Sequence, residues 1–308
     1  MKIVYAGANA LSVLPLTALR GAGFAVCAVL TQPDRPVGRK GVLTPSPLKQ
    51  YALGENIPVF DFAKVRDHAA ELAATGADCM VTCSYGQLLT QDVLNAFPRG
   101  VFNVHTSLLP RWRGASPIQH AILAGDGETG VTVMKTELGL DTGDMLLQER
   151  IPVAADDTAG TLAQKLFELG AECIVRALRE VEAGTAVFTP QDHAAATLCK
   201  KIKKQDCALD FSRPAEEICR LVRAMNPEPL AYTSLHGKLV NVFSAEPAEG
   251  AGECGQVLRA DKTGIYVAAS GGAVKILWLQ FEGGKRLSAA DAVNGRKVAA
   301  GDLFGSEA

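Results

Sequence analysis

VFNVHTSLLPRWRGASP, residues 101–117, begins as a short apolar run and ends as a helix cap. Between the two ends lie an Asn, a His, a Ser, Arg residues and a Trp. Side chains at i and i+2 of a strand point to one side, so Asn103 and His105 share a side while Phe102 and Val104 take the other. Ser107 falls where the strand gives way to a loop. Ser116 and Pro117 read as the N-cap and first residue of a helix over IQHAILA, closed by Gly125. Strand, polar loop and helix make the βα unit of a parallel sheet, and such sheets bind ligands outside the carboxyl ends of their strands. Two hydrogen-bonding side chains therefore stand where chemistry is usually done.

Toward the N-terminus the alternation continues. Residues 1–6 read as a strand, 11–22 as a helix and FAVCAVL as a second, fully apolar strand. Apolar strands alternating with helices predict a mostly parallel, Rossmann-like α/β sheet covered on both faces. The first turn, Ala6 to Ala10, lacks the three-glycine fingerprint of dinucleotide binders, which argues against a nicotinamide or flavin cofactor. Residues 31–45 read as a long structureless loop carrying Arg35, Arg39 and Lys40. Such a loop is either a solvated flap or a basic segment that orders on an anionic partner. Ser46-Pro47 then caps a helix. A strand at 58–60, a helix near 64–75 and a strand at 78–84 follow, the last running into the loop Tyr85, Gly86, Gln87, Leu88 and Leu89.

Toward the C-terminus, 129–138 reads as a strand ending in a turn that holds Asp141, and 145–153 as another. Leu162, Leu166, Leu169, Cys173, Ile174 and Leu178 fall at helical spacing within 158–183. The next stretch has no clear period and carries Lys200, Lys201, Lys203 and Lys204. It reads as a basic connection over 189–205, separating a catalytic domain at 1–188 from a second domain at 206–308. After a helix starting at Pro214, short strands at 231–235, 238–245, 255–260, 264–269 and 273–281 suggest a small barrel, with a last helix from Ser288.

The chain has 308 residues, enough for two ordinary domains, and 48% apolar residues, usual for a globular protein. No apolar run approaches the roughly 20 residues of a membrane span. MKIVYAGANALS reads as a first strand rather than a secretory signal. None of the 8 cysteines forms a C-x-x-C pair, which fits core thiols in a reducing cytoplasm. The net charge of −2 gives no global basicity that would announce nucleic acid.

Asn103, His105 and Asp141 all stand at the ends of expected strands. An Asn amide and a cationic His are hydrogen-bond donors, and a carboxylate close by suits the doubly donating imidazole. Such a set suits acyl transfer, in which charge builds on a former carbonyl oxygen. A nucleophilic triad fits worse, because no G-x-S-x-G elbow surrounds Ser107. The 5 His are scattered, so no metal site is expected. On spacing alone a bland reading stands beside this one. In it His105 is a satisfied core imidazole, and Asn103 and Asp141 are turn residues.

NVHTSLLPRWRGASPIQ, with GVTVMKTELGLDTGDMLLQ after it, closely resembles the folate-dependent formyltransferases. TQPDRPVGRKGVLTPSPLKQYA and MNPEPLAY extend the resemblance over nearly the whole chain, toward the members that formylate methionyl initiator tRNA. The resemblance implies 10-formyltetrahydrofolate as donor and co-substrate, and the methionine amine on the tRNA as acceptor. It implies that Asn103 and His105 stabilise the oxyanion and that Asp141 is the essential carboxylate. It implies folate contacts from Ser107, Leu108, Leu109 and Pro110, and a pterin pocket lined by Tyr85 to Leu89. Arg35, Arg39 and Lys40 would enter the acceptor stem, and a C-terminal barrel of oligonucleotide-binding (OB) type would hold the tRNA. Lys200, Lys201, Lys203 and Lys204 read either as phosphate contacts or as a solvated connection. The whole implies a cytoplasmic, monomeric enzyme with no membrane partner. The sequence departs from the family pattern in two places. Ala8-Asn9-Ala10-Leu11 stand where Thr-Pro, an acid and Phe are usual, and Gly38-Arg39-Lys40-Gly41 carries fewer charges than the usual basic loop.

Overall fold

The structure, a computed structural model, describes residues 1–38 and 41–305. Arg39 and Lys40 lie outside the described residues. The chain divides into two compact units.

The first unit comprises Met1–Pro117, Glu128–Pro152 and Ala163–Cys199. In chain order its strands are β1 (Lys2–Gly7), β2 (Ala25–Leu30), β3 (Arg35–Val37), β4 (Val42–Thr44), β5 (Val59–Phe60), β6 (Cys79–Cys83), β7 (Val101–His105), β8 (Arg113–Gly114), β9 (Glu128–Lys135), β10 (Met145–Pro152) and β11 (Leu198–Cys199). Its helices are α1 (Val13–Gly21), α2 (Pro47–Gly54), α3 (Ala69–Ala74) and α4 (Gln91–Asn95). Two more, α5 (Pro117–Ala124) and α6 (Ala159–Ala183), continue into the second unit. The main sheet has the order β10-β9-β7-β6-β1-β2-β5, parallel from β7 to β5.

Why the strands are apolar throughout is visible in β1. Val4 and Ala6 join a core cluster with Leu30, Leu72, Met80, Val93 and Phe97. By alternation Ile3 and Tyr5 face the other way, and they too are fully buried. A strand buried on both faces has no place for a polar period.

The structure corrects the sequence reading in several places. The described part of residues 31–45 is not structureless: β3 and β4 pair antiparallel, and Gly41 N donates to Gly38 O at 3.1 Å. The helix expected near 64–75 is broken. A single 3-10 turn, Val65–Asp67, is separated from α3 by His68, whose ring stacks on Phe62 at 3.9 Å between centroids. α4 and the two-residue pair β8–β11 are too short to leave a period in the sequence. The consequential correction concerns β7. It pairs parallel with β6, but its other neighbour β9 is antiparallel, with Phe102 opposite Lys135 and His105 opposite Thr132. β9 therefore ends beside the amino half of β7, and the loop carrying Asp141 must fold back to reach His105.

The second unit comprises Ile118–Gly127, Val153–Leu162 and the chain from Lys200. It contains α7 (Ala215–Ala224), β12 (Ala231–Leu235), β13 (Lys238–Ala248), β14 (Val257–Asp261), β15 (Gly264–Ala269), β16 (Gly272–Phe281), β17 (Arg286–Ser288) and α8 (Ala289–Asn294). The antiparallel sheet runs β12-β13-β16-β15-β14, with β17 added on β16. Its two edges are bridged by one segment, Leu303 pairing with Gln256 and Phe304 with Leu235. That closure makes the sheet a small barrel around Val240, Val242, Ile265, Val267, Ile276 and Leu279. β17 was not expected, being three residues of mixed character. No helix of the described residues is long and apolar enough to cross a membrane.

Candidate active site

β7 carries Asn103 and His105 on one side, as its alternation requires. His105 is 6% exposed, and its Nε2 lies 2.9 Å from the Trp112 carbonyl oxygen. A carbonyl only accepts, so Nε2 carries a hydrogen. Nδ1 faces Asp141 Oδ2 at 3.8 Å. That oxygen also accepts from the Gly114 backbone N at 2.8 Å. Asn103 is half-buried, and its side-chain amide has no hydrogen-bond partner among the described residues. An amide, an imidazole and a carboxylate from separate segments thus converge on one side of β7.

A buried hydroxyl anchors the loop after β7. Thr132, fully buried on β9, donates from Oγ1 to the Ser107 carbonyl at 2.7 Å. The same oxygen accepts from Leu109 N at 3.1 Å and from Gln148 Nε2 at 3.0 Å, while Gln148 also donates to the Leu109 carbonyl at 2.9 Å. Ser107 Oγ donates to the Arg111 carbonyl at 2.6 Å, so its hydroxyl is engaged and not poised as a nucleophile. Leu109–Pro110 is a cis peptide, and the Arg111 guanidinium covers the Trp112 ring at 4.3 Å.

The loop 85–89 divides. The Tyr85 ring is in the core, where burial raises its phenol pKa, and its hydroxyl has no hydrogen-bond partner among the described residues. Gln32 donates to the Tyr85 carbonyl at 2.6 Å, beside Gly86 at φ 81°. The Gln87 side chain ties down its neighbours, accepting from Val65 N at 2.8 Å and donating to Phe62 O at 2.9 Å. Leu88 is 84% exposed, whereas Leu89 packs on the core. In the departing turn Asn9 closes a local bond, its Oδ1 accepting from Ser12 N at 2.8 Å at the start of α1.

The expected tRNA contacts among the described residues are not part of this cluster. Arg35 is exposed on the hairpin, and Lys200, Lys201, Lys203 and Lys204 are exposed at the start of the second unit's main segment.

Residues 1–178 match the formyl transferase family, and residues 201–297 match the formyl transferase C-terminal domain. The chain belongs to the formyl transferase family. The methionyl-tRNA formyltransferase of Ectopseudomonas mendocina is 46% identical over 299 residues, 96% of this chain and 95% of the relative. That of Pseudomonas putida (strain GB-1) is 46% identical over 309 residues, 99% of this chain and 100% of the relative. Both of these relatives are methionyl-tRNA formyltransferases, matched over nearly their whole length. Among solved structures, HypX from Aquifex aeolicus in complex with tetrahydrofolic acid superposes with a TM-score of 0.68 at 20% identity. The match covers 95% of this chain but only 47% of HypX, so the chain spans about half that protein's length. An N-formyltransferase from Helicobacter canadensis gives a TM-score of 0.68 at 20% identity, covering 90% of this chain and 98% of that one. These two establish a shared fold.

Other chemistry finds little support in this formyl transferase. Cys199 is the thiol near the trio, its Sγ 3.3 Å from the Trp112 carbonyl, and burial pushes its pKa up to about 11. A thiol held protonated is a poor nucleophile. Among the described residues no group of three or more His, Cys, Asp or Glu is arranged to hold a metal ion. A cleft of about 780 Å³ is lined by Arg99, Lys135, Glu137 and Leu138 near the amino end of β7, not beside His105. Sequence reading missed Thr132, Gln148, Arg113 and Gln191, which hold the site's loops. Each acts through partners distant in sequence, so no local pattern marks it.

Proposed function

We propose that formyl transfer in this enzyme runs through Asn103, His105 and Asp141. The methionine amine on the tRNA attacks the formyl carbon bound to the folate nitrogen. The carbonyl oxygen takes up negative charge as the carbon becomes tetrahedral. Asn103 donates to that oxygen from its unpartnered amide. His105 donates from Nε2, exchanging its bond to the Trp112 carbonyl for one to the oxyanion, while Nδ1 remains toward Asp141. Asp141 accepts the proton of the attacking nitrogen on Oδ1, the oxygen that neither Gly114 nor His105 engages. The carbon–nitrogen bond to tetrahydrofolate then breaks, the leaving nitrogen takes back the proton that Asp141 accepted, and the new formamide remains on the methionine.

The observation that carries this reading is the convergence of Asp141 on His105 from a loop that has to fold back to reach it. A turn residue with no task at that place would not need Gly114 N to hold its carboxylate. In the same reading Ser107 to Pro110 and Tyr85 to Leu89 form the folate side. There Gln87 serves by fixing the loop, and Leu88 offers the exposed apolar surface. Arg35, Arg39, Lys40, Lys200, Lys201, Lys203 and Lys204 meet tRNA phosphates, and the catalytic part (1–188), the basic connection (189–205) and the barrel (206–308) act as one monomeric enzyme in the cytoplasm. A transfer assay with one folate donor and three acceptors tests it: charged initiator tRNA, glycinamide ribotide and an amino-sugar nucleotide. Turnover with the tRNA alone is expected, and turnover only with either small acceptor contradicts the reading.

A further inference from the structure

Asp141 sits in left-handed backbone, φ 50°. That conformation is uncommon outside glycine, though Asp is among the side chains that adopt it most readily. Here one buried side chain holds it in place. Gln191 is 5% exposed, and its Nε2 donates to the Asp141 carbonyl at 2.9 Å and to the Gly143 carbonyl at 2.7 Å. A side-chain amide has two N–H hydrogens, so both are committed to the loop.

The other end of Gln191 is fixed as firmly. Its Oε1 accepts from Arg113 Nε at 3.0 Å and from Nη2 at 2.7 Å. Arg113 is itself 5% exposed and forms no ion pair with a carboxylate among the described residues. Its remaining side-chain partner is His193 Nδ1, 3.2 Å from Nη2, which must accept because a guanidinium only donates. A buried cation held by neutral acceptors is expensive to maintain for stability alone. Next to Arg113 in β8 stands Gly114, whose backbone N holds the Asp141 carboxylate. Gly114 has φ 122°, and a Cβ there would meet the Cys199 carbonyl at 2.3 Å, so β8 needs this glycine to pair with β11. One two-residue strand therefore reaches Asp141 twice: directly from Gly114 to the carboxylate, and from Arg113 through Gln191 to the backbone.

We propose that Gln191 is a positioning residue for formyl transfer, backed by Arg113, and that it sets where the Asp141 carboxylate stands relative to His105 and the attacking amine. The proposal rests on the reading of Asp141 as the proton acceptor. A misplacement of about 1 Å at a reacting group can cost about 100-fold in rate. Residues that act as a unit are non-additive, which separates positioning from a general structural role.

The test is turnover on charged initiator tRNA by the full chain as wild type, Gln191→Ala, Asp141→Asn and the double variant. The expected result is a fall of about 100-fold in kcat for Gln191→Ala with KM for both substrates unchanged. In the Asp141→Asn background the same change should cost nothing further. Gln191→Asn, whose amide is pulled back by one methylene, takes the place of Gln191→Ala if the latter does not fold. Wild-type turnover in the Gln191 variant overturns the proposal, and so does a loss that multiplies in full with that of Asp141→Asn. Wild-type turnover of Asp141→Asn itself overturns the reading of Asp141, and the proposal with it.

Discussion

At the scale of single residues, the site separates engaged groups from available ones. Ser107 Oγ is bound to the Arg111 carbonyl and Cys199 Sγ to the Trp112 carbonyl, whereas the Asn103 amide has no partner among the described residues. The thiols behave as packing groups throughout. Burial pushes Cys79, Cys83, Cys173 and Cys219 up to about 12, and only Cys254 is exposed. The thiolate is the reactive form, and a raised pKa leaves little of it near neutral pH. Alkylation of the folded chain near pH 7 should therefore place one label quickly, and Cys254→Ser should abolish it. Rapid labelling of several cysteines would contradict this burial. Asn103 and His105 were legible because a period of two and a strand end are local signals. Gln191 was not, because its partners Arg113 and Asp141 are far from it in sequence and meet it only in the fold.

At the scale of elements, β7 is held from behind. Val104 points away from Asn103 and His105, and α6 crosses it at Gly170, where an added Cβ would meet Val104 Cγ1 at 2.7 Å. Helix and strand approach this closely only because Gly170 has no side chain. Gly170→Val should overpack the contact and destabilise the chain by about 1–3 kcal/mol. Urea unfolding measures this, and an unchanged midpoint would show that α6 does not bear on β7. Elements with a long period were legible: the apolar strands, α6, and the barrel strands with their glycine turns. The direction of β9 was not, because a strand of buried residues reads the same whether it runs parallel or antiparallel. The reversal matters, since it ends β9 away from His105 and obliges the loop to bring Asp141 back. The hairpin at 31–45 was missed for the opposite reason. Its strands are three residues each, and its prolines and glycines outweigh them.

At the scale of the whole molecule, the chain joins an α/β unit with the trio to a small antiparallel barrel closed by residues 303 and 304. Both parts match the formyl transferase family along their lengths. The stretch that the sequence offered as a connection also reaches into the first unit, where Thr189 pairs with Met145, Gln191 fixes the Asp141 loop and β11 extends β8. A segment without period can thus be ordered by what it touches. The central claim, that transfer runs through three converging side chains, is tested most directly at Asn103, whose amide has no structural bond to lose. Removal of one oxyanion donor costs about 100- to 1,000-fold in comparable sites. Turnover of charged initiator tRNA by Asn103→Ala should fall by that amount with unfolding unchanged, whereas near wild-type turnover would show that the oxyanion is held elsewhere.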